Sequence, residues 1–197
     1  MKTILLLTCL LFFLNGPALA HNNERVINAK CDLSYLVPSG FKEIKISDAI
    51  LVPGKCALAF DRRYAPKSPF KGPYPTDEIR ASVDFFIQVD IFSVATAIKI
   101  NGFSAADQNA NRVCKKLDGF EPNLDINSSN FKKLDGGELY EITMIDRKKP
   151  GKGKKIYLAG NDNQSLSYTT WFKPGRERDA LDQKNLDALF SSIKFDD

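Results

Sequence analysis

The sequence predicts an α+β domain, an antiparallel β-sheet flanked by helices, on three observations. Val83, Phe85, Ile87, Val89 and Ile91 alternate with Asp84, Gln88 and Asp90, the period-two pattern of a strand with one covered face. Three later runs, Glu138 to Arg147, Lys154 to Gly160 and Ser165 to Lys173, are joined by Pro150-Gly151-Lys152-Gly153 and Asn161-Asp162-Asn163-Gln164. Short turn-rich joints between strand-like runs describe an antiparallel meander. Two further segments carry apolar residues at helical spacing between recognisable ends.

In chain order, Leu33, Tyr35 and Val37 alternate into the turn Pro38-Ser39-Gly40, and Phe41, Ile44 and Ile46 lead a second extended piece. This opening is a predicted hairpin. Cys56 to Phe60 is a short third strand. Tyr64 to Pro75 holds Pro66, Pro69, Pro73 and Pro75 among Tyr64, Phe70 and Tyr74, so it is a loop lying over the domain. A loop of that length is either packed surface or a segment that reaches a partner. Val83 to Val94 is the central strand. Ser104, with Asp107 in capping-box position, starts a predicted helix to Leu117 that ends at Asp118-Gly119. Its apolar side is Ala106, Ala110, Val113 and Leu117. The last helix, Arg178 to Ser192, presents Leu186, Leu189, Phe190 and Ile193, with Glu177 and Asp179 at its first turn.

Residues 1–20 have the parts of a secretory signal peptide: Lys2, an apolar run from Ile4 to Leu14, and the exit Ala18-Leu19-Ala20. The run is too short for a bilayer core of about 30 Å, and no later apolar stretch approaches a membrane span. The expectation is cleavage after Ala20, a flexible mature N-terminus over 21–29, a single domain over 30–197, and a secreted or periplasmic location. Of the 197 residues, 28 are Lys or Arg and 24 are Asp or Glu. Loss of Lys2 leaves a mature charge of +3, too small to imply a nucleic-acid or membrane partner by itself.

Three mature cysteines remain, Cys31, Cys56 and Cys114. In an oxidising compartment one disulfide is the default. Cys31 and Cys56, both in strand-like segments, are the favoured pair. Cys114, on the apolar side of the predicted helix, is expected to be a buried thiol, because a reactive one needs a basic, partly open site. Pairing of Cys114 with either of the others is the alternative.

The residue inventory excludes much chemistry. His21 is the only histidine, at the expected mature N-terminus, so Ser-His-Asp and Cys-His catalysis, histidine acid/base work and a copper site needing two imidazoles are all absent. Asp84 and Asp90 share a strand face, but six residues separate them by roughly 20 Å, beyond glycosidase spacing. Asp125-x-Asn127-x-Ser129 begins like a calcium loop, yet Asn130 and Gly136 stand where glycine and glutamate are required. No metal site and no cofactor is expected. Asn127 and Asn163 match the N-glycosylation pattern.

One feature rises above background. Arg147, Lys148, Lys149, Lys152, Lys154, Lys155, Lys173, Arg176 and Arg178 lie within a stretch whose only acids are Asp162 and Glu177. That stretch carries +7 in a molecule of +3. If the hairpin turn centres between Asp162 and Asn163, Lys173 falls opposite Lys152, and the charges gather at one end of the sheet. Such an end suits an acidic protein or an anionic glycan or lipid surface; alternatively the lysines keep a sheet edge from aggregating. Nucleic acid is a poor fit for an exported chain.

The opening Leu33-Ser34-Tyr35-Leu36-Val37-Pro38-Ser39-Gly40-Phe41, the run of antiparallel strands and the ending Leu189-Phe190-Ser191-Ser192-Ile193-Lys194-Phe195 resemble the PsbP-like family, named for an extrinsic luminal subunit of photosystem II. The resemblance implies an α-β-α sandwich and a small exported protein that assists a larger assembly without catalysis. It transfers no functional residue, and the lone histidine departs from the metal-linked roles of the photosynthetic members. The sequence thus predicts a non-enzymatic binding or accessory protein working through its basic end. The alternatives are an enzyme with a carboxylate-based site and a secreted inhibitor or effector acting through loop 64–75.

Overall fold

The computed structural model describes residues 25–44, 56–62, 83–108, 111–149, 151–173 and 175–196. Residues 1–20, expected to be a signal peptide, His21 and residues 64–75, expected to be a loop, lie outside the described residues.

Seven strands form the central antiparallel sheet: β3 (Phe41–Glu43), β4 (Cys56–Arg62), β5 (Phe85–Asp90), β8 (Leu124–Leu134), β9 (Gly137–Asp146), β10 (Gly153–Gly160) and β11 (Ser165–Phe172), in the order β3-β4-β5-β11-β10-β9-β8. The expected meander is its centre. The β10 strand is buried on both faces, which accounts for its apolar run Ile156, Leu158, Ala159 on either side of the pleat. Asn161 fixes the β10–β11 turn by accepting at Oδ1 from the backbone of Asn163 (2.9 Å) and Gln164 (3.0 Å). Asp135-Gly136 makes the two-residue β8–β9 turn, where Gly136 adopts φ +72°.

One face of the sheet carries α2 (Glu177–Ser191) and a three-stranded sheet of β1 (Arg25–Asn28), β2 (Leu33–Leu36) and β12 (Lys194–Phe195). Tyr35, Phe60, Ile87, Tyr157, Leu186 and Phe190 pack between these layers, and the Tyr157 and Phe190 rings stack at 4.8 Å. Residues 25–28, expected to be flexible, are thus a paired strand. The opposite face carries α1 (Val94–Ile100) and the hairpin of β6 (Phe103–Gln108) and β7 (Asn111–Lys116), over a second core of Ile98, Phe103, Cys114, Tyr140, Ile142 and Leu158.

This arrangement corrects the expected α-β-α sandwich. Two helices occur among the described residues, of 7 and 15 residues; strands supply most of one covering layer and share the other with α2. The predicted helix from Ser104 to Leu117 is the β6–β7 hairpin, paired from Phe103↔Lys116 to Gln108↔Asn111. Its alanines favour a helix in isolation, but pairing and burial of Phe103 and Cys114 against the sheet outweigh that weak preference. Conversely, the predicted long strand ends at Asp90, and α1 begins after Ser93, whose Oγ accepts the Thr96 N–H at 3.2 Å. Val94, Ala97 and Ile98 are its buried side; the β-branched Val94 and Ile98 make this segment look extended when taken alone.

The Cys31–Cys56 disulfide forms, with Cα atoms 5.6 Å apart, and joins the start of β2 to β4. Cys114 is a buried free thiol.

Candidate functional site

The register that would gather the basic residues is present. β10 pairs with β11 from Gly160↔Ser165 to Gly153↔Phe172, so Lys152 and Lys173 continue the ladder as opposite neighbours. The β9–β10 turn is fixed by its own backbone. Asp146 Oδ1 accepts the N–H groups of Lys148 (2.8 Å) and Lys149 (3.1 Å), and the Lys152 N–H reaches Lys149 O at 2.8 Å. Gly153 is required where the turn enters β10, because a Cβ there would lie 2.7 Å from Met144 O. On the neighbouring strand, the Lys173 N–H donates to Asp179 Oδ2 at 2.8 Å and Arg176 N–H to Lys173 O at 3.1 Å. The first turn of α2 is thereby held beside the tip.

The nine basic side chains do not act as one patch. Lys154 is buried: its ammonium pairs with Glu121 and lies 5.6 Å from the Phe120 ring centroid and 5.8 Å from that of Trp171. Lys155, the next residue, points to the other face, pairs with Asp187, and lies 3.8 Å from Glu141. Arg147 grips Asp125 through both Nε and Nη2. That hydrogen bonding holds the Asp125 carboxyl below its ordinary range and the Arg147 guanidinium above its own. Arg176 and Arg178 face Asp179 and Asp182 on their own helix, each at 3.9 Å.

Lys148, Lys149, Lys152 and Lys173 remain, all exposed and without an ion pair among the described residues. Trp171 stands beside them, 62% exposed on the face it shares with Lys154. Phe172 turns the other way and is half-buried.

The neutralising partners Glu121, Asp125, Glu141 and Asp187 lie outside the basic stretch, so its sequence charge overstates the working patch. Only the sheet register, which sends Lys154 and Lys155 to opposite faces, signals their separation.

Among carboxylates, Glu141 and Asp187 both approach Lys155, and Tyr157 OH donates to Asp187 Oδ1 at 2.7 Å. Lys132 joins through a 2.8 Å bond to Glu141. This network clamps α2 to the sheet. Open cavities lie elsewhere, among them one of about 610 Å³ between α1 and the β8–β9 turn and one of about 570 Å³ between α2 and β3. Neither is lined by Glu141, Lys155 or Asp187. Asp125 and Ser129 sit in strand β8, where Asp125 serves Arg147, and no cluster suited to a metal occurs among the described residues. Asn127 and Asn163 are both exposed. No helix among the described residues is long and apolar enough to cross a membrane.

No family model matches the chain, and no curated protein matches it. A crystal structure of a protein from Bacteroides thetaiotaomicron is similar over 89% of this chain and 49% of that one, at 8% identity and a TM-score of 0.39. The chain therefore spans about half the length of the protein it matches.

Proposed function

We propose that this chain is an exported binding protein that docks an anionic partner through the lysine tip at the β9–β10 turn, without catalysis. The observation that carries the proposal is the contrast within one stretch of sequence: every arginine faces an acid, while Lys148, Lys149, Lys152 and Lys173 face solvent together. A cluster of cations without ion-pair partners at one end of a sheet creates a local positive potential that attracts an acidic surface, speeds association and makes it sensitive to salt. Export is supported by the signal-like residues 1–20 and by the Cys31–Cys56 disulfide, a bond that persists in oxidising compartments.

Charge reversal tests the proposal. The Lys149→Glu/Lys152→Glu variant removes two tip cations and touches neither buried lysine. Binding of mature protein to poly-glutamate, to a sulfated polysaccharide and to anionic vesicles is measured at low and at moderate salt. The expected result is retention on at least one probe, lost with the variant and weakened by salt. Retention indifferent to both changes, or on no probe, overturns the docking function.

A further inference from the structure

We infer that the partner of the lysine tip is an anionic phospholipid surface, contacted by the four lysines with Trp171 as the interfacial aromatic. This rests on the docking reading above and names its occupant. Two observations select lipid over an acidic protein or glycan.

The first is the chemistry of the free cations. Arg147, Arg176 and Arg178, whose planar forks suit bidentate recognition of a particular carboxylate or sulfate, face Asp125, Asp179 and Asp182. The unpaired cations are all lysines, mobile point charges that suit a diffuse field of headgroups better than one oriented anion.

The second is the apolar ground beside them. Trp171, the only tryptophan in the chain, is 62% exposed, and Leu117 is 41% exposed. Phe120 and Trp171 both lie within 6 Å of the Lys154 ammonium, and the Phe120 N–H donates to Leu117 O. Phe120 and Trp171 thus flank the Lys154 ammonium at the sheet end that bears Lys152 and Lys173, and Leu117 belongs to the turn that carries Phe120. An exposed indole beside lysines is the composition of a bilayer interface, where the ring sits at headgroup depth and the ammonium groups meet phosphate. The Lys154 charge, buried between the Phe120 and Trp171 rings, is neutralised there by Glu121.

Because Trp171 is the sole tryptophan, its emission reports the proposed contact directly. Mature protein is mixed with phosphatidylcholine vesicles with and without phosphatidylglycerol, and followed by co-sedimentation and by Trp171 fluorescence. Poly-glutamate and a sulfated polysaccharide run as soluble controls. The expected result is binding only to the anionic vesicles, with a blue shift of Trp171 and quenching by brominated lipid. Lys149→Glu/Lys152→Glu should weaken it at least about 30-fold, since each lysine near the surface contributes severalfold. Trp171→Ala should weaken co-sedimentation less and leave its salt dependence in place. Lysine-dependent binding to a soluble polyanion but not to vesicles overturns the lipid assignment and leaves the docking function standing. Vesicle binding with unchanged Trp171 emission overturns the contact face. Binding to none of the probes overturns both.

Discussion

Two sets of lysines, drawn from the same stretch of sequence, have opposite environments. Lys154 and Lys155 are adjacent on β10, and the pleat sends one to each face of the sheet. Each meets a carboxylate delivered by a distant segment, Glu121 from the turn after β7 and Asp187 from α2. Lys148, Lys149, Lys152 and Lys173, just beyond the ends of the ladder, meet water. Charge density along a chain therefore does not measure charge density on its surface. In a strand running between two covering layers, a lysine must bring its counter-charge inside or be excluded.

The largest test of this contrast is removal of Lys154. Its side chain is 6% exposed while Glu121 is 33% exposed, so Lys154→Ala should cost about 3 kcal/mol, the low end for a broken buried pair. Urea unfolding of the variant against wild type measures it. The double variant Lys154→Met/Glu121→Leu should recover much of the loss, because the burial cost then vanishes with the charge. A loss below about 0.5 kcal/mol for Lys154→Ala would place Lys154 among the surface lysines. Lys155→Ala comes next, at about 2 kcal/mol, because Asp187 is 40% exposed and keeps water as a partner.

Alkaline pH sharpens the same division. Tyr157 shares Asp187 with Lys155, and its phenol is raised well above 10, first by burial and then by the hydrogen bond to Asp187. Tyr35 is raised by burial and by Glu43. Burial pushes Tyr168 up to about 12 and the Cys114 thiol from 9.0 to about 11. Each group holds its proton longer folded than unfolded, so the unfolded chain binds fewer protons and stability falls as pH rises. The decline should begin near pH 9 with Cys114 and steepen above pH 10 with the tyrosines. Tyr157→Phe should flatten the upper part and Cys114→Ala the part between pH 9 and 11, as followed by urea midpoints. Unchanged curves would show that these groups are hydrated in the folded protein.

How far the sequence reveals all this depends on the range of the interaction. Period-two runs and Asx turns are local, so β9, β10, β11 and the Lys152–Lys173 register are legible, as is α2 from Leu186, Leu189 and Phe190. The Cys31–Cys56 pair follows from two strand-like neighbours. The β6–β7 hairpin is not legible, because Ala105 and Ala106 carry no strand signal and the pairing with Asn111 to Lys116 is decided by the core beneath. Helix α1 left one trace, Ser93 before Val94, Ala97 and Ile98. The division of the basic stretch is legible only as a pleat parity, since nothing local marks Glu121 or Asp187 as the acids that Lys154 and Lys155 will meet.

The smallest expected effect on stability is at the tip itself, and it separates a surface kept for binding from one kept for folding. Lys148, Lys149, Lys152 and Lys173 are solvated and unpaired among the described residues, so replacing any one with Ala should change unfolding free energy by less than about 0.5 kcal/mol. Mutual repulsion among three ammonium groups on the turn and that of Lys173 opposite gives that change a sign: removal of one should be neutral to slightly stabilising, and more so at low salt, where screening is weakest. Urea midpoints of Lys152→Ala at low and high salt measure it. A loss of 1 kcal/mol or more would mean that the tip lysines support the turn, and that their exposure is incidental to docking.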